Sequence, residues 1–308
     1  MDVLTLMALP FLECLVLVGI HSYLGIHVIK RQVIFVDLAI AQIAALGIAV
    51  AMTFGIHPGD PGSYIFSLLF ALAGGTIFSV TRFRRHGVPQ EAVIGLVYAL
   101  AAALSILVMD RSPLGSEHLK ELLTGALLWV GWPDIIKASI IYAVIGIIHY
   151  RFQPIFQMIS SDPERARGKG YNLFFWDLLF YATFAVVITT SVQVAGILLV
   201  FVFLVTPAMM AISVTDRLSI QLLIGWTAGT LVTMAGLLLS YFFDLPGSPT
   251  VIALYGAVLL LWSLCVYLVR AESRINALKK VVMGLMISVG FLALLFLLGE
   301  YLHRGHAG

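Results

Sequence analysis

The feature that most limits this chain recurs along it: uncharged apolar runs about as long as a bilayer crossing. Stretches such as VAGILLVFVFLV (194–205) and YGAVLLLWSLCVYLV (255–269) carry no charged residue. A helix needs about 20 mostly apolar residues to cross the hydrocarbon core. The other spanning solution, a closed β-barrel, needs strands of about ten residues that alternate apolar and polar side chains, and these runs do not alternate. The chain therefore reads as an all-α, polytopic membrane protein. Composition agrees, because 61% of the 308 residues are hydrophobic and only 11% are charged. An ordinary globular domain carries about 25% charged residues, so a water-facing surface cannot be built from this set.

Apolar runs bounded by charges, Pro and Gly predict about ten spans, with eight as the lower bound: 4–29, 33–54, 64–80, 92–109, 135–149, 173–190, 194–212, 218–242, 250–269 and 281–302. Together they occupy most of residues 1–308 and imply a single integral-membrane domain. The fifth is short. The apolar stretch 122–130, too short to cross alone, either completes it or lies at the interface. Asp2 stands where a signal peptide carries positive charge, so the first run is expected to be a retained span.

Lys and Arg favour the cytoplasmic ends of spans. Fourteen of the eighteen basic residues fall on one side of this map, among them Lys30, Arg31, Arg82, Arg151, Arg165, Arg167, Lys169, Arg217 and Arg270. That side is therefore inside, with both termini outside and the loop 150–172 inside. The outer side holds eight acids against four bases. Such a face either concentrates cations or simply collects acids where bases are excluded.

Signatures of chemistry within the chain are missing. The only Gly-Lys pair, Gly168-Lys169, is followed by Gly170, so no G-x-x-x-x-G-K-[ST] phosphate loop exists. Nor does H-E-x-x-H or G-x-S-x-G occur. Cys14 and Cys265 lie inside apolar runs and offer neither a disulfide framework nor a zinc cluster. The basic residues are scattered through loops, which excludes a nucleic-acid face. If ATP drives the protein, a partner must supply it.

Ionisable groups inside spans are costly and mark cavities or pathways. Glu13, His21 and Asp37 qualify, with Gln42 deeper in the second span. Glu13 and His21 are separated by about 80° around a helix and lean to one side, whereas Asp37 and Gln42 are about 140° apart. Carboxylate and imidazole groups suit a path for a divalent cation. The blander reading has Asp37 capping a helix or pairing with Arg31, and His21 bonded to a backbone carbonyl. His303 and His306 are either a metal-catching tail or incidental. Gly19, Gly25, Gly47, Gly74, Gly75 and Gly95 are expected to let helices approach closely. Pro207 marks either a bend lining a path or a tolerated kink.

The most distinctive polar segment is SSDPERARGKG, 160–170. Ser161 or Asp162 caps a short helix starting at Pro163, with Glu164 in its first turn and Gly168 or Gly170 at its end. Such an element serves as a docking surface or as a solvated connector.

These segments resemble, in order, the membrane permease subunits of ATP-binding-cassette importers for zinc, manganese or iron(II). The likeness runs through GIHVIKR, IFVDLAIAQIAALG, PQEAVIGLVYALAAALSIL, ELLTGALLWVGWPD, SDPERARGKG and, most specifically, SVQVAGILLVFVFLVTPAMMA (191–211). It places Gly196 and Pro207 in the path and leaves the last run, 281–302, outside. The resemblance implies a permease bundle of the metal and vitamin-B12 importer type, embedded in lipid of the cytoplasmic membrane and paired as a homodimer. An ATPase subunit would dock inside and an extracytoplasmic metal-binding protein outside. No cofactor is implied for the chain itself: its cargo is zinc, manganese or iron, and ATP enters only through the partner. By the same resemblance Asp162, Pro163, Glu164, Ala166 and Gly170 belong to the inner-loop helix that meets the ATPase.

One departure stands out. The family usually has His four residues after the second-span Asp, but here Ala41 follows Asp37 at four and Gln42 at five. Asp37 is then expected to hold the ion with His21 or Glu13 in place of the missing imidazole. The alternatives are a gradient-driven secondary transporter using Glu13, His21 and Asp37 as a relay, or the same permease carrying a metal chelate or another small solute.

Overall fold

A computed structural model describes residues 3–82, 89–110 and 123–276, together with 278 and 283. Among the described residues there are eleven α-helices: α1 Val3–Lys30, α2 Val36–Thr53, α3 Pro61–Thr81, α4 Gln90–Met109, α5 Trp132–Arg151, α6 Gln153–Ser161, α7 Pro163–Gly168, α8 Leu173–Ala195, α9 Ile197–Ile212, α10 Leu218–Phe242 and α11 Gly247–Arg270. A 3₁₀ turn, Leu127–Trp129, precedes α5.

Eight of these helices are long and apolar enough to cross a membrane, and α9 is a shorter apolar helix. Nine of the ten expected runs are thus helices, and the tenth, 281–302, lies outside the described residues apart from Met283. The tail histidines His303 and His306 lie outside them too. The fifth span needs no help from 122–130, since α5 alone runs for 20 residues. Pro133, in its first turn, presets the backbone angle of the helix start.

The chain divides into two compact units, Met1–Val258 and Leu259–Gly308. In the second, the described residues are the later half of α11 and a short stretch beyond it. The first unit is built around α2. Its small residues Ala39, Ala41, Ala44, Ala45, Gly47, Ala49 and Ala51 are all buried, and α3 and α4 pack against it. Without a hydrophobic drive between helices in lipid, close backbone approach is what stabilises them. Gly25 shows this most clearly, because a Cβ there would lie 1.9 Å from the Leu204 carbonyl oxygen of α9. Gly47, Gly74 and Gly75 also face close neighbours, whereas Gly19 and Gly95 have nothing within 4 Å and do not serve the expected role.

Exposed side chains on the spans include large apolar ones, as on α4 with Leu96, Leu100 and Leu107. Arg31 after α1, Arg82 after α3 and Asp177 near the start of α8 bond to one another. These helix ends therefore share one end of the bundle, as the alternating span map requires.

Candidate functional site

Asp37 sits in the first turn of α2 and is 1% exposed. It caps nothing, because the N-cap is Phe35 and no side chain bonds the helix start. Nor does it pair with Arg31, which donates from Nη1 to Asp177 Oδ1 at 2.8 Å. Both Asp37 oxygens lack a hydrogen-bond partner among the described residues. A buried carboxylate without hydrogen bonds is costly, so its place at the head of a span calls for a ligand or a function. One turn on, Gln42 donates to Ser105 Oγ of α4 at 3.4 Å.

Glu13 and His21 lie on α1 and are fully buried. His21 Nδ1 donates to the Leu17 carbonyl at 2.7 Å, as the blander reading expects, and Nε2 has no hydrogen-bond partner among the described residues. Among the described residues both Glu13 oxygens are likewise unpartnered. The His21 ring packs edge-on to Tyr142 of α5 at 6.3 Å. Tyr142 in turn lies within hydrogen-bond distance of Ser191 Oγ on α8, at 2.5 Å. Among the described residues no three His, Cys, Asp or Glu side chains gather as a metal-holding group. Asp37 on α2 and Glu13 and His21 on α1 therefore do not form one three-residue ligand shell.

Gly196 separates α8 from α9 with φ 77° and ψ 162°, a conformation that essentially only glycine adopts. Against it packs Gly125, φ 69°, from the stretch preceding the 3₁₀ turn. Ala126 N–H donates to the Val194 carbonyl at 3.0 Å. At 16 residues α9 is about 24 Å long, shorter than the hydrocarbon core. The irregular stretch 123–131 covers its start, which is how non-helical backbone is tolerated at depth. Pro207 is buried inside a continuous α9 and lies against Gly229 of α10. The helix runs through it without a break.

The segment 160–170 folds as its pattern predicts. Asp162 is the N-cap of α7 and accepts from Arg165 N–H at 3.0 Å, and Gly170 takes φ 82° just after the helix. Asp162, Glu164 and Gly170 are exposed. Ala166 is not: it is buried with Ile159 and Leu173. Arg165, Arg167 and Lys169, absent from the expected docking set, are exposed beside Glu164.

Sequence reasoning also missed Asp177, His27 and His149, although the rule that singles out Asp37 applies to them equally. Asp177 is fully buried. Thr183 Oγ1 gives its proton to a backbone carbonyl of its own helix and accepts from His149 Nε2 at 2.9 Å. His149 Nδ1 is then the acceptor for Tyr23 O–H at 3.2 Å.

A family model described as the ABC 3 transport family matches residues 4–267. A probable iron transport system membrane protein of Haemophilus influenzae is 24% identical over 226 residues, 73% of this chain and 78% of its own length. The manganese transport system membrane protein MntC of Listeria innocua is 28% identical over 236 residues, 75% of this chain and 80% of its own. In structure the fold is similar to a chain of PsaBC from Streptococcus pneumoniae solved in complex with Fab. The TM-score is 0.70 at 21% identity, covering 83% of this chain and 90% of that one.

Proposed function

Because the chain belongs to the ABC 3 transport family, we propose that it is the permease subunit of an ATP-driven importer for a divalent metal ion, in the cytoplasmic membrane. Two copies would frame the path. A separate ATPase subunit binds at α7 and hydrolyses ATP, and an extracytoplasmic metal-binding protein delivers the ion. The permease itself does no bond chemistry: it alternates between two states whose relative stability the ATPase shifts.

The observation that carries this reading is Asp37, a buried carboxylate at the head of a central span with both oxygens unpartnered among the described residues. With Ala41 where an imidazole would share its face, the polar side chains in the first two turns of α2 are Asp37 and Gln42, both with oxygen donors. Oxygen donors suit manganese better than zinc. The relatives named for manganese and iron transport support the same cargo class. A gradient-driven secondary transporter is disfavoured by family membership.

The test is the full chain reconstituted with the ATPase subunit encoded beside it. ATP hydrolysis and ion uptake are measured with manganese, iron(II) and zinc. Manganese is expected to stimulate hydrolysis and accumulate. Uptake by the lone chain under a proton or sodium gradient overturns the reading, and absence of response to all three cations overturns the cargo.

A further inference from the structure

Away from the candidate path, a buried cluster ties the end of α6, which leads into α7, to the helices of the bundle. α7 follows directly on α6, whose last turn contains Ile159 and Ser160. Ser160 Oγ accepts from Arg31 Nε at 2.9 Å, which leaves the hydroxyl proton for His27 Nδ1, also at 2.9 Å. Arg82 Nη2 donates to the Ile159 carbonyl at 3.0 Å. The same two guanidiniums converge on one carboxylate oxygen, Asp177 Oδ1, which Arg31 reaches from Nη1 and Arg82 from its own Nη1. The Arg31 guanidinium also lies 3.7 Å over the Phe180 ring. Arg31 and Asp177 side chains are fully buried and Arg82 nearly so.

Four segments meet here: the residues just after α1 and α3, the last turn of α6, and the start of α8. Among the described residues two guanidiniums meet on one carboxylate, and apolar packing of similar volume is often no less stable than such a buried ionic cluster. Buried charge-assisted bonds differ from apolar contacts in one respect that matters here. They are short and directional, and no water is at hand to replace them. Apolar helix faces can slide past one another, while such a junction holds its geometry.

The geometry points to Asp177, Arg31, Arg82 and Ser160 as positioning residues that make α7 and the adjoining ends of α1, α3 and α8 move as one body. A displacement of α7 then reaches three spans at once. This rests on the reading that an ATPase subunit pushes α7, and none of the four need touch the cargo.

The test uses the full chain with its ATPase subunit in liposomes. Manganese accumulated per ATP hydrolysed is measured for wild type, Ser160→Ala, Ser160→Thr and Asp177→Asn, together with the amount of ATPase that co-purifies. A second readout is the distance between labels at Arg165 of α7 and Phe174 of α8, both exposed, with and without ATP. Ser160→Ala is expected to keep its ATPase subunit and lower the transport ratio by about fivefold, within the range by which single residues shift coupling. Ser160→Thr keeps the hydroxyl and is expected to retain the wild-type ratio. The label distance stays fixed on ATP binding in wild type and changes in Ser160→Ala. Asp177→Asn is expected to lower the ratio further; if it does not fold, the Ser160 pair decides. A wild-type ratio in Ser160→Ala, a wild-type label distance that changes with ATP, or a loss of transport matched by loss of bound ATPase overturns the junction. A wild-type chain that binds no ATPase subunit overturns the functional reading and the junction with it.

Discussion

Gly125 and Gly196 meet backbone against backbone. A Cβ built on Gly196 lies 2.4 Å from the Gly125 nitrogen, and one built on Gly125 lies 2.3 Å from the Ala195 carbonyl carbon. Both glycines have positive φ, and neither neighbour is a flexible side chain that can step aside. Gly196→Ala adds backbone strain to overpacking and is expected to cost about 3 kcal/mol or more. Thermal denaturation in detergent checks this against Gly19→Ala, whose Cβ meets nothing within 4 Å. The control should be neutral or slightly stabilised, since alanine is the better helix former.

Asp177→Ala leaves Arg31 and Arg82 buried without their shared carboxylate. Breaking a buried pair from one side costs about 3–5 kcal/mol. Glu164 pairs with Arg167 at 3.2 Å, but the two side chains are 78% and 47% exposed, so Glu164→Ala should change stability by less than about 0.5 kcal/mol. Midpoints for the two variants, measured side by side in detergent, test the contrast.

What could be read from the sequence follows from which forces act locally. The spans were legible because crossing a bilayer demands a length and a composition that a window of residues displays. The cap at Asp162 and the turn at Gly170 were legible for the same reason, being settled within a few residues. Tertiary facts were not. Nothing in SDPERARGKG says that Ala166 faces inward, because that depends on Ile159 and Leu173 coming to meet it. The pairing of Arg31 with Asp177, instead of with the nearer Asp37, joins residues 146 apart in sequence. Asp177 carried the right signal, an acid inside an apolar run, and was passed over. The 3₁₀ turn and its glycine contact had no local signature, since Gly125 is explained only by Gly196.

The exposed and buried sides of α7 should respond in opposite ways. Glu164→Lys changes the surface offered to a partner and leaves the packing beneath untouched. It is expected to reduce co-purified ATPase without moving the denaturation midpoint. Ala166→Leu forces extra methylenes between Ile159 and Leu173, costing about 1–3 kcal/mol, and should loosen α7 as well as weaken binding. Hydrogen exchange across 160–172 separates the two, with faster exchange expected only in Ala166→Leu.

Asp37 combines a folding cost with the proposed transport role, so its variants should trade one for the other. Its carboxylate is buried with neither oxygen hydrogen-bonded, and a neutral amide of the same shape is cheaper to bury than a charge. In metal-free buffer Asp37→Asn is therefore expected to be as stable as wild type or more so. Added manganese should raise the wild-type midpoint, because a ligand that binds only the folded state stabilises it by mass action. The same addition should leave Asp37→Asn unmoved, and uptake by the reconstituted variant should fall by about tenfold or more, a loss of about 1.4 kcal/mol or more of interaction with the ion. Ala41→His, one turn along the same face of α2, supplies an imidazole and should shift preference toward zinc. Unchanged manganese uptake in Asp37→Asn would remove Asp37 from the path. An Ala41→His variant whose manganese-to-zinc ratio equals that of wild type would show that the α2 face does not select the ion.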